Sequence, residues 1–564
     1  MPRIRRTITI KRETTPEQAL CRQLDALQDA ADQERDRRLG SGWFESVRDL
    51  YNVNPATYSA PTFRPRIIVP KLQTLLLNEA TDLSDALPRV FIMSKDKRDK
   101  DREKAYQENW RQSCYNNRIM EAELWALFGG TGFLQVGFDP HARRGKGEVW
   151  LESRDPDTVH PDPSTKDWNR WSYVQFTDNM YIDEVRRLWP ETAVRVVPRR
   201  GTNPPLAGTV ADTSVQFTPG PMSVGPGIAQ RFVSSDSIVQ VRYTFIRDYS
   251  VEEIDKEDRD RMREVLDPLL STPKFRPLYP DGRWIVDCEG VILADGPNPI
   301  PLGMFPIIPF RSMPSLGWFW GIPPTRYTLT LQNIAERMMT QTFENAVRLN
   351  NVIWFIDDNC GINANSFCGL PAEIQTINAN SRVPEMRAPV AFPQHMTQYP
   401  EGLLALQDQL QGFSPARKGQ SGAGNTSADL YSSSIYQSQF LTRLRNRLMA
   451  ESIQATAELT FYMMANYYKD GNAFPGFQGG EVKMHQWKDM SSTIDDYSVY
   501  LDPGSLRTVS MAALRQLYGE LLKTGKIPLK FALEAMEIPV ADEIAEAQTR
   551  EMELAALSRL KKPR

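Results

Sequence analysis

From Ser427 to Asp470 the chain contains neither glycine nor proline, and this stretch constrains the fold more than any other. As a helix it is about 65 Å long at 1.5 Å per residue, far beyond the usual three or four turns. Thr426 and Asp429 stand at capping-box spacing at its head, which puts a carboxylate near the positive helix end. Gly471 supplies the residue best suited to a left-handed cap at its end. Ile435, Phe440, Leu444, Leu448, Ile453, Thr456 and Leu459 recur at helical spacing, with Arg443, Arg445 and Arg447 between them. Immediately upstream, Pro415 to Asn425 forms a polar, Gly/Ser-rich loop carrying Arg417 and Lys418. A helix this long is expected to span the core of a large protein or to act as its spine.

Composition narrows the classes. The 564 residues carry a net charge of −3 and a pI near 6.0, which argues against coating DNA by bulk attraction and leaves room for local basic patches. Cys21, Cys114, Cys288, Cys360 and Cys368 are scattered and odd in number, as expected in a reducing compartment rather than in a disulfide framework. No apolar run approaches the ~20 residues of a membrane span. The basic opening MPRIRRTITIKRE lacks the apolar core of a signal peptide, so synthesis in the cytoplasm is expected.

Along the chain, Thr15-Pro16-Glu17 starts a helix with a capping hydroxyl, a proline at the first position and an acid in the first turn. Its inward face is Leu20, Leu24, Leu27 and Ala31, and it ends near Gly40. Helices are expected from Trp43 to Tyr51 and from Pro70 to Leu83, then a strand from Pro88 to Met93. Lys95 to Phe128 reads as one long helix, stopped by Gly129-Gly130. Phe133 to Asp139 and Glu148 to Glu152 alternate as a β-hairpin. Asp155 to Pro163 is an acidic, proline-stiffened turn, followed by a helix from Ile182 that ends before Pro190. Pro198 to Gly227 reads as a mobile loop or insertion. Strand character returns over Ser237 to Asp248, and Trp284 to Leu293 is a second hairpin. Pro324 is placed to open a helix reaching Leu349, with Tyr327, Leu331, Ile334, Ala335, Met338 and Phe343 on one side. Val352 to Pro393 reads as a strand-and-turn insert, Pro400 to Phe413 as a short helix, Asp496 to Leu501 as a strand, and the tail from Ser510 as helical.

Groupings that carry catalysis are scarce. Gly519 to Lys526 has the wrong glycine spacing for a phosphate loop, and Ile527 stands where a hydroxyl would meet magnesium. Gly130-Thr131-Gly132 precedes a strand instead of following one, against a dinucleotide fingerprint. His141, His160, His395 and His485 are dispersed, and Cys360 and Cys368 are too far apart for a zinc knuckle. His160 beside Asp155, Asp157 and Asp162 is either a cation site or a solvated turn. Ser414 and Ser421 have no nearby histidine, and the acid pairs Asp357-Asp358 and Asp495-Asp496 are adjacent, so in a strand they point to opposite faces. No cofactor, metal or catalytic residue is expected.

The order of these parts resembles the phage portal proteins (head-to-tail connectors), especially those of short-tailed phages. Ala126 to Pro140 is similar to the portal helix-to-hairpin segment, and Glu152 to Pro163 to the turn that follows it. Phe305 to Phe310, Gly321 to Pro324 and Gln332-Asn333 match the lead into the first stem helix. Gly412 to Pro415 with the Gly/Ser loop resembles the tunnel loop, and Asp496 to Ser505 is a further family-like piece. The resemblance runs from about Leu72 to the C-terminus, and it rests on the order of the motifs rather than on any one.

The resemblance implies an α+β, helix-rich architecture. Residues 1–323 would be a wing with N-terminal helices, hairpins and the mobile loop 198–227; 324–350 the first stem helix; 351–399 a β-containing clip insert; and 400–413 the second stem helix. Residues 414–426 would be the tunnel loop, 427–471 the long spine helix, 472–505 a β-containing wing segment and 506–564 a helical crown. It further implies a homo-oligomeric ring, a dodecamer, at one capsid vertex of the virion, passing double-stranded DNA without reading sequence during packaging and ejection. Partners implied are the terminase large subunit, tail and adaptor proteins, and capsid and scaffolding proteins, with no membrane. Arg417, Lys418, Gln420 and Asn425 are the expected channel-facing loop residues. The other classes left open are a structural tail or internal virion protein that forms no channel, and an enzyme, either a nuclease using the acidic turn at Asp155 to Asp162 or a terminase-like ATPase.

Overall fold

The computed structural model describes residues 16–52, 67–84, 90–94, 97–197, 238–253, 275–350, 353–355, 378, 385–387, 395–413, 440–468, 473–478, 481–487, 497–501, 518–523, 529 and 532–533. They form a mixed α+β fold of two compact units, Met1–Glu45 with Glu79–Pro323 and Thr442–Arg564, and Ser46–Asn78 with Pro324–Leu441.

The chain opens with α1 (Pro16–Leu39), α2 (Trp43–Asn52), α3 (Lys71–Ser84), β1 (Val90–Ser94), β2 (Lys97–Arg98), α4 (Lys100–Gln112) and α5 (Tyr115–Gly129). It continues through β3 (Thr131–Asp139), α6 (Ala142–Gly145), β4 (Glu148–Arg154), β5 (Val159–Pro161), β6 (Tyr173–Tyr181) and α7 (Ile182–Leu188). Then follow β7 (Ile238–Ile246), β8 (Val251–Glu253), β9 (Phe275–Pro277), β10 (Arg283–Cys288), β11 (Val291–Pro297) and β12 (Ile307–Arg311). The second unit holds α8 (Thr325–Asn350), β13 (Ile353–Phe355), β14 (Glu385–Arg387) and α9 (His395–Leu410). Last come α10 (Phe440–Tyr467), β15 (Ala473–Gln478), β16 (Glu481–Gln486) and β17 (Tyr497–Leu501).

In the larger unit an antiparallel sheet of order β11-β10-β7-β6-β5 carries α1. Helix α1 buries only Cys21, Leu24 and Ala31, and polar contacts do much of the seating. Tyr173 Oη donates to Leu27 O at 3.0 Å and Gln175 Nε2 to Leu24 O at 3.1 Å. Buried Arg242 donates to both carboxylate oxygens of Asp287 at 2.9 and 2.8 Å and to Gln28 Oε1 at 2.9 Å, and it pairs with Asp25 at 2.8 Å. His160 belongs to this seat: its Nδ1 lies 2.7 Å from Asp32 Oδ1. The acidic turn beside it is therefore a docking element for α1, and among the described residues no three metal-ligating side chains gather.

A second sheet, β12-β3-β4, lies against α5, and a third, β17-β1-β2, joins residues near both ends of the chain. Helix α10 is tied to all of this. Ser452 Oγ donates to Pro309 O at 2.6 Å, Tyr106 Oη to Ala457 O at 3.0 Å, and Val149 N–H to Tyr468 Oη at 3.0 Å. Phe461 sits amid Tyr106, Tyr462, Trp487 and Tyr497 in edge-on and tilted contacts.

Two expectations need correction, and a third is described only in part. The long helix expected over Lys95 to Phe128 begins with the short strand β2, and Asp99 caps α4 by accepting from Arg102 N–H. It then breaks at Cys114, whose φ of 53 is left-handed, so Tyr115 can turn its ring edge-on to Trp110 at 5.3 Å. Pro400 does not open α9 but sits inside it, since the helix starts at His395 and gives up one hydrogen bond there. Of the long stretch, Phe440–Tyr467 is the described helix, while 427–439, with the caps Thr426, Asp429 and Gly471, lies outside the described residues.

Candidate functional site

The expected loop residues Arg417, Lys418, Gln420 and Asn425 lie outside the described residues, as do 198–237, 356–377 and most of the tail from 502 onward. What is described is the helical pair that precedes the loop and the helix that follows it.

The pair α8 and α9 is built inside out. On α8 the buried positions are mostly polar: Thr325, Thr328, Gln332 and Glu336, with Ala335. On α9 they are Gln407 and Asp408, with Gln411 just past its end. These side chains bond to one another, to the segment before α3 and to its first turn. Gln332 Nε2 donates to Glu336 Oε1 at 3.1 Å, while Gln332 Oε1 accepts from Leu72 N–H at 3.0 Å and from Gln407 Nε2 at 3.5 Å. Glu336 Oε1 also accepts from Val69 N–H at 3.2 Å, and Thr340 Oγ1 from Ile67 N–H at 3.1 Å. Gln411 Nε2 reaches Pro324 O and Thr328 Oγ1, both at 3.3 Å. Lys71 Nζ donates to Leu404 O at 2.6 Å and Asp408 Oδ2 at 2.8 Å.

The apolar side chains point the other way. Tyr327 is 46% exposed, Ile334 43%, Phe343 46%, Tyr399 60%, Leu406 42% and Leu410 43%. Tyr327 and Ile334 share one outward stripe of α8. Of the residues that spacing puts on one side, Tyr327 and Ile334 are exposed together, Leu331 and Met338 are half-buried, Ala335 is buried, and Phe343 falls on the opposite side of the helix. Burying glutamines in hydrogen bonds while exposing large apolar groups is costly for a lone subunit, because burial of apolar area is the main driving force.

Helix α10 begins with the same character, Phe440 at 57% and Leu444 at 42% exposed, and is mostly buried from Ser452 to Ala465, with Gln454 exposed. Among its arginines, Arg445 is buried and donates to Glu79 of α3, which also accepts from Thr442 Oγ1 at 3.3 Å. Arg447 is exposed and Arg443 half-buried. Nothing in the sequence around Glu79 signals this ion pair, since the partners lie 366 residues apart.

The glycine motifs also converge. Gly130, at φ +97, and Gly321 cross backbone to backbone: a Cβ on Gly130 would lie 2.6 Å from Gly321 O, and one on Gly321 2.3 Å from Gly130 O. Gly321 N–H donates to Thr131 Oγ1 at 2.9 Å, and Ser312 N–H to Gly130 O at 3.2 Å. This crossing locks the start of β3 against the residues that lead into α8. On α5, Glu123 is buried without an ion pair among the described residues, and burial alone pushes its carboxyl up to about 8.

Among the described residues no helix is long and apolar enough to cross a membrane. The chain matches no family model and no curated protein.

Proposed function

We propose that the chain is a portal protein: copies form a ring at one capsid vertex, and the ring is the channel for DNA packaging and ejection. It is also the docking platform for terminase and for tail or adaptor proteins. The observation that carries this reading is the inside-out helical pair. A second copy laid against α8 and α9 buries Tyr327, Ile334, Leu406 and Leu410, and repetition of one such contact closes a ring. In a channel, these helices form the stem, α10 the spine, and residues 414–426 a loop that meets DNA. The order of motifs from Ala126 to Ser505 supports the same reading. Arg417, Lys418, Gln420 and Asn425 contact phosphates rather than bases, as a conduit for any sequence requires. No catalytic step is assigned to the chain.

Quantifying copies per assembled particle tests it. A portal is present as one ring per capsid. A chain present in many copies spread over the particle, or absent from the vertex, would overturn the reading in favour of a non-channel virion component.

A further inference from the structure

The sheet β11-β10-β7-β6-β5 has an apolar face and a polar one, and α1 sits on the polar one. On the apolar face the core gathers Ile182, Val185, Val241, Val286, Cys288 and Leu293. Strand register builds the other face in rows: His160 opposite Gln175 and Gln175 opposite Thr244, then Thr177 opposite Arg242 and Arg242 opposite Asp287. All six side chains are buried. Helix α1 brings little apolar area to cover them, since Leu20 and Leu27 stay half-buried beside buried Cys21, Leu24 and Ala31. It is held by polar contacts about one turn apart. Asp25 and Gln28 meet Arg242, Gln28 Nε2 lies 3.3 Å from His160 Nε2, Asp32 meets His160, and Arg35 Nη1 donates to Asp157 O at 3.3 Å.

The closed seat is incompletely paired. Gln175 Oε1 and Thr244 Oγ1 belong to fully buried residues beneath the helix and have no hydrogen-bond partner among the described residues. A buried polar atom left unpaired favours the state in which water reaches it. At its C-terminal end α1 passes into α2 through Gly40-Ser41-Gly42, with φ of +104 at Gly40 and +69 at Gly42. Beyond this link the chain is fixed: Trp43 Nε1 donates to Gly129 O at 3.1 Å, and buried Phe44 packs against Trp320 and Trp125. The glycine link thus joins a helix seated by polar contacts to residues anchored by aromatic ones.

We propose that α1 is a strap that opens reversibly as one unit, pivoting at Gly40 and Gly42 and uncovering the polar rows while the sheet stays folded. Opening exposes little apolar area, and the uncovered groups exchange protein hydrogen bonds for water. Arg242 and Asp287 keep each other in the open state, because both belong to the sheet. A partner that binds the freed helix or the uncovered rows shifts the balance toward open. The strap works within one chain and does not depend on ring assembly.

The test labels the folded full chain with N-ethylmaleimide and follows each cysteine by peptide mass mapping. Cys114 is exposed, Cys21 is buried on the seated side of α1, and Cys288 is buried in the core on the opposite face of the sheet. The expected order is Cys114 first, Cys21 next at the rate of strap opening, and Cys288 last, only as the sheet itself unfolds. Asp32→Ala, about three turns from Cys21, removes a charge-assisted hydrogen bond from the seat. It should speed Cys21 labelling by about tenfold or more and leave Cys288 unchanged. Thr244→Val removes a buried hydroxyl that has no partner to lose, and should slow Cys21 labelling severalfold. Cys21 labelled no faster than Cys288 in the wild type overturns the strap. So does an Asp32→Ala chain in which Cys21 keeps its wild-type rate, as fraying of one helix end would give, or in which Cys288 speeds up equally. If a variant fails to fold, the wild-type order of Cys21 and Cys288 decides.

Discussion

Arg445 of α10 donates to Glu79 of α3, and both side chains are buried within one chain. The guanidinium is thereby committed to holding α10 against α3. Removing one member leaves the other charged and buried, so Glu79→Ala should destabilise the chain by about 3–5 kcal/mol. Replacing both, as Glu79→Leu with Arg445→Met, should recover most of that stability. Urea unfolding of the three proteins measures it.

The crossing of Gly130 and Gly321 leaves no room for a methyl group on either residue. Gly321→Ala should cost about 1–3 kcal/mol through backbone displacement. The companion Gly296→Ala, where a Cβ meets nothing within 4 Å, should stay within about 0.5 kcal/mol. Thermal melts of the pair separate the close approach from a general glycine effect.

Glu123 gives a pH dependence of defined sign. Its folded carboxyl titrates near 8 against an ordinary value of 4.5, because burial penalises the charged form. The folded state therefore holds the proton more tightly than the unfolded one, so this group's contribution is fully present below about pH 4.5 and lost as pH rises through about 8. Glu123→Gln should flatten that fall and be the more stable protein at pH 8.5, as read by unfolding midpoints at a series of pH values.

The outward apolar stripe separates assembly from folding. Ile334→Arg places a charge at a position that is 43% exposed in the single chain, so the monomer's stability should change by no more than about 0.5 kcal/mol. The same change should abolish assembly, read as disappearance of the high-mass species in sedimentation.

Removing the loop's charges should act later still. Arg417→Ala/Lys418→Ala particles are expected to assemble with a normal vertex and to package DNA more slowly or to a shorter length. Packaging at normal rate and length would remove these residues from the channel's working surface.

Much of the fold is legible in the sequence, because its signals are local. The hairpin β3–β4 pairs Phe138 with Val149 and Asp139 with Glu148, as period-two alternation over those residues predicts. Helix α1 starts at Pro16 and ends one residue before Gly40, where φ is +104. The break at Cys114 has no such marker: just beyond it Tyr115 donates its hydroxyl to Val149 O of β4, a tertiary contact. Helix α8 shows a deeper limit. Spacing shows that Tyr327 and Ile334 share an apolar face, but an amphipathic pattern is the same whether that face is covered by its own chain or by another copy. The Glu79–Arg445 pair, the Gly130–Gly321 crossing and the seat of His160 against Asp32 join residues far apart in sequence, where no local pattern reaches. The loop residues Arg417, Lys418, Gln420 and Asn425 remain an inference from sequence order.

Negative-stain imaging of the purified full chain, paired with its mass in solution, tests the central claim most directly. A portal should give closed rings with a central hole and one discrete high-mass species across moderate salt, and Ile334→Arg should abolish both. A 64.3 kDa monomer at every salt concentration, with no ring in any field, would contradict the portal assignment.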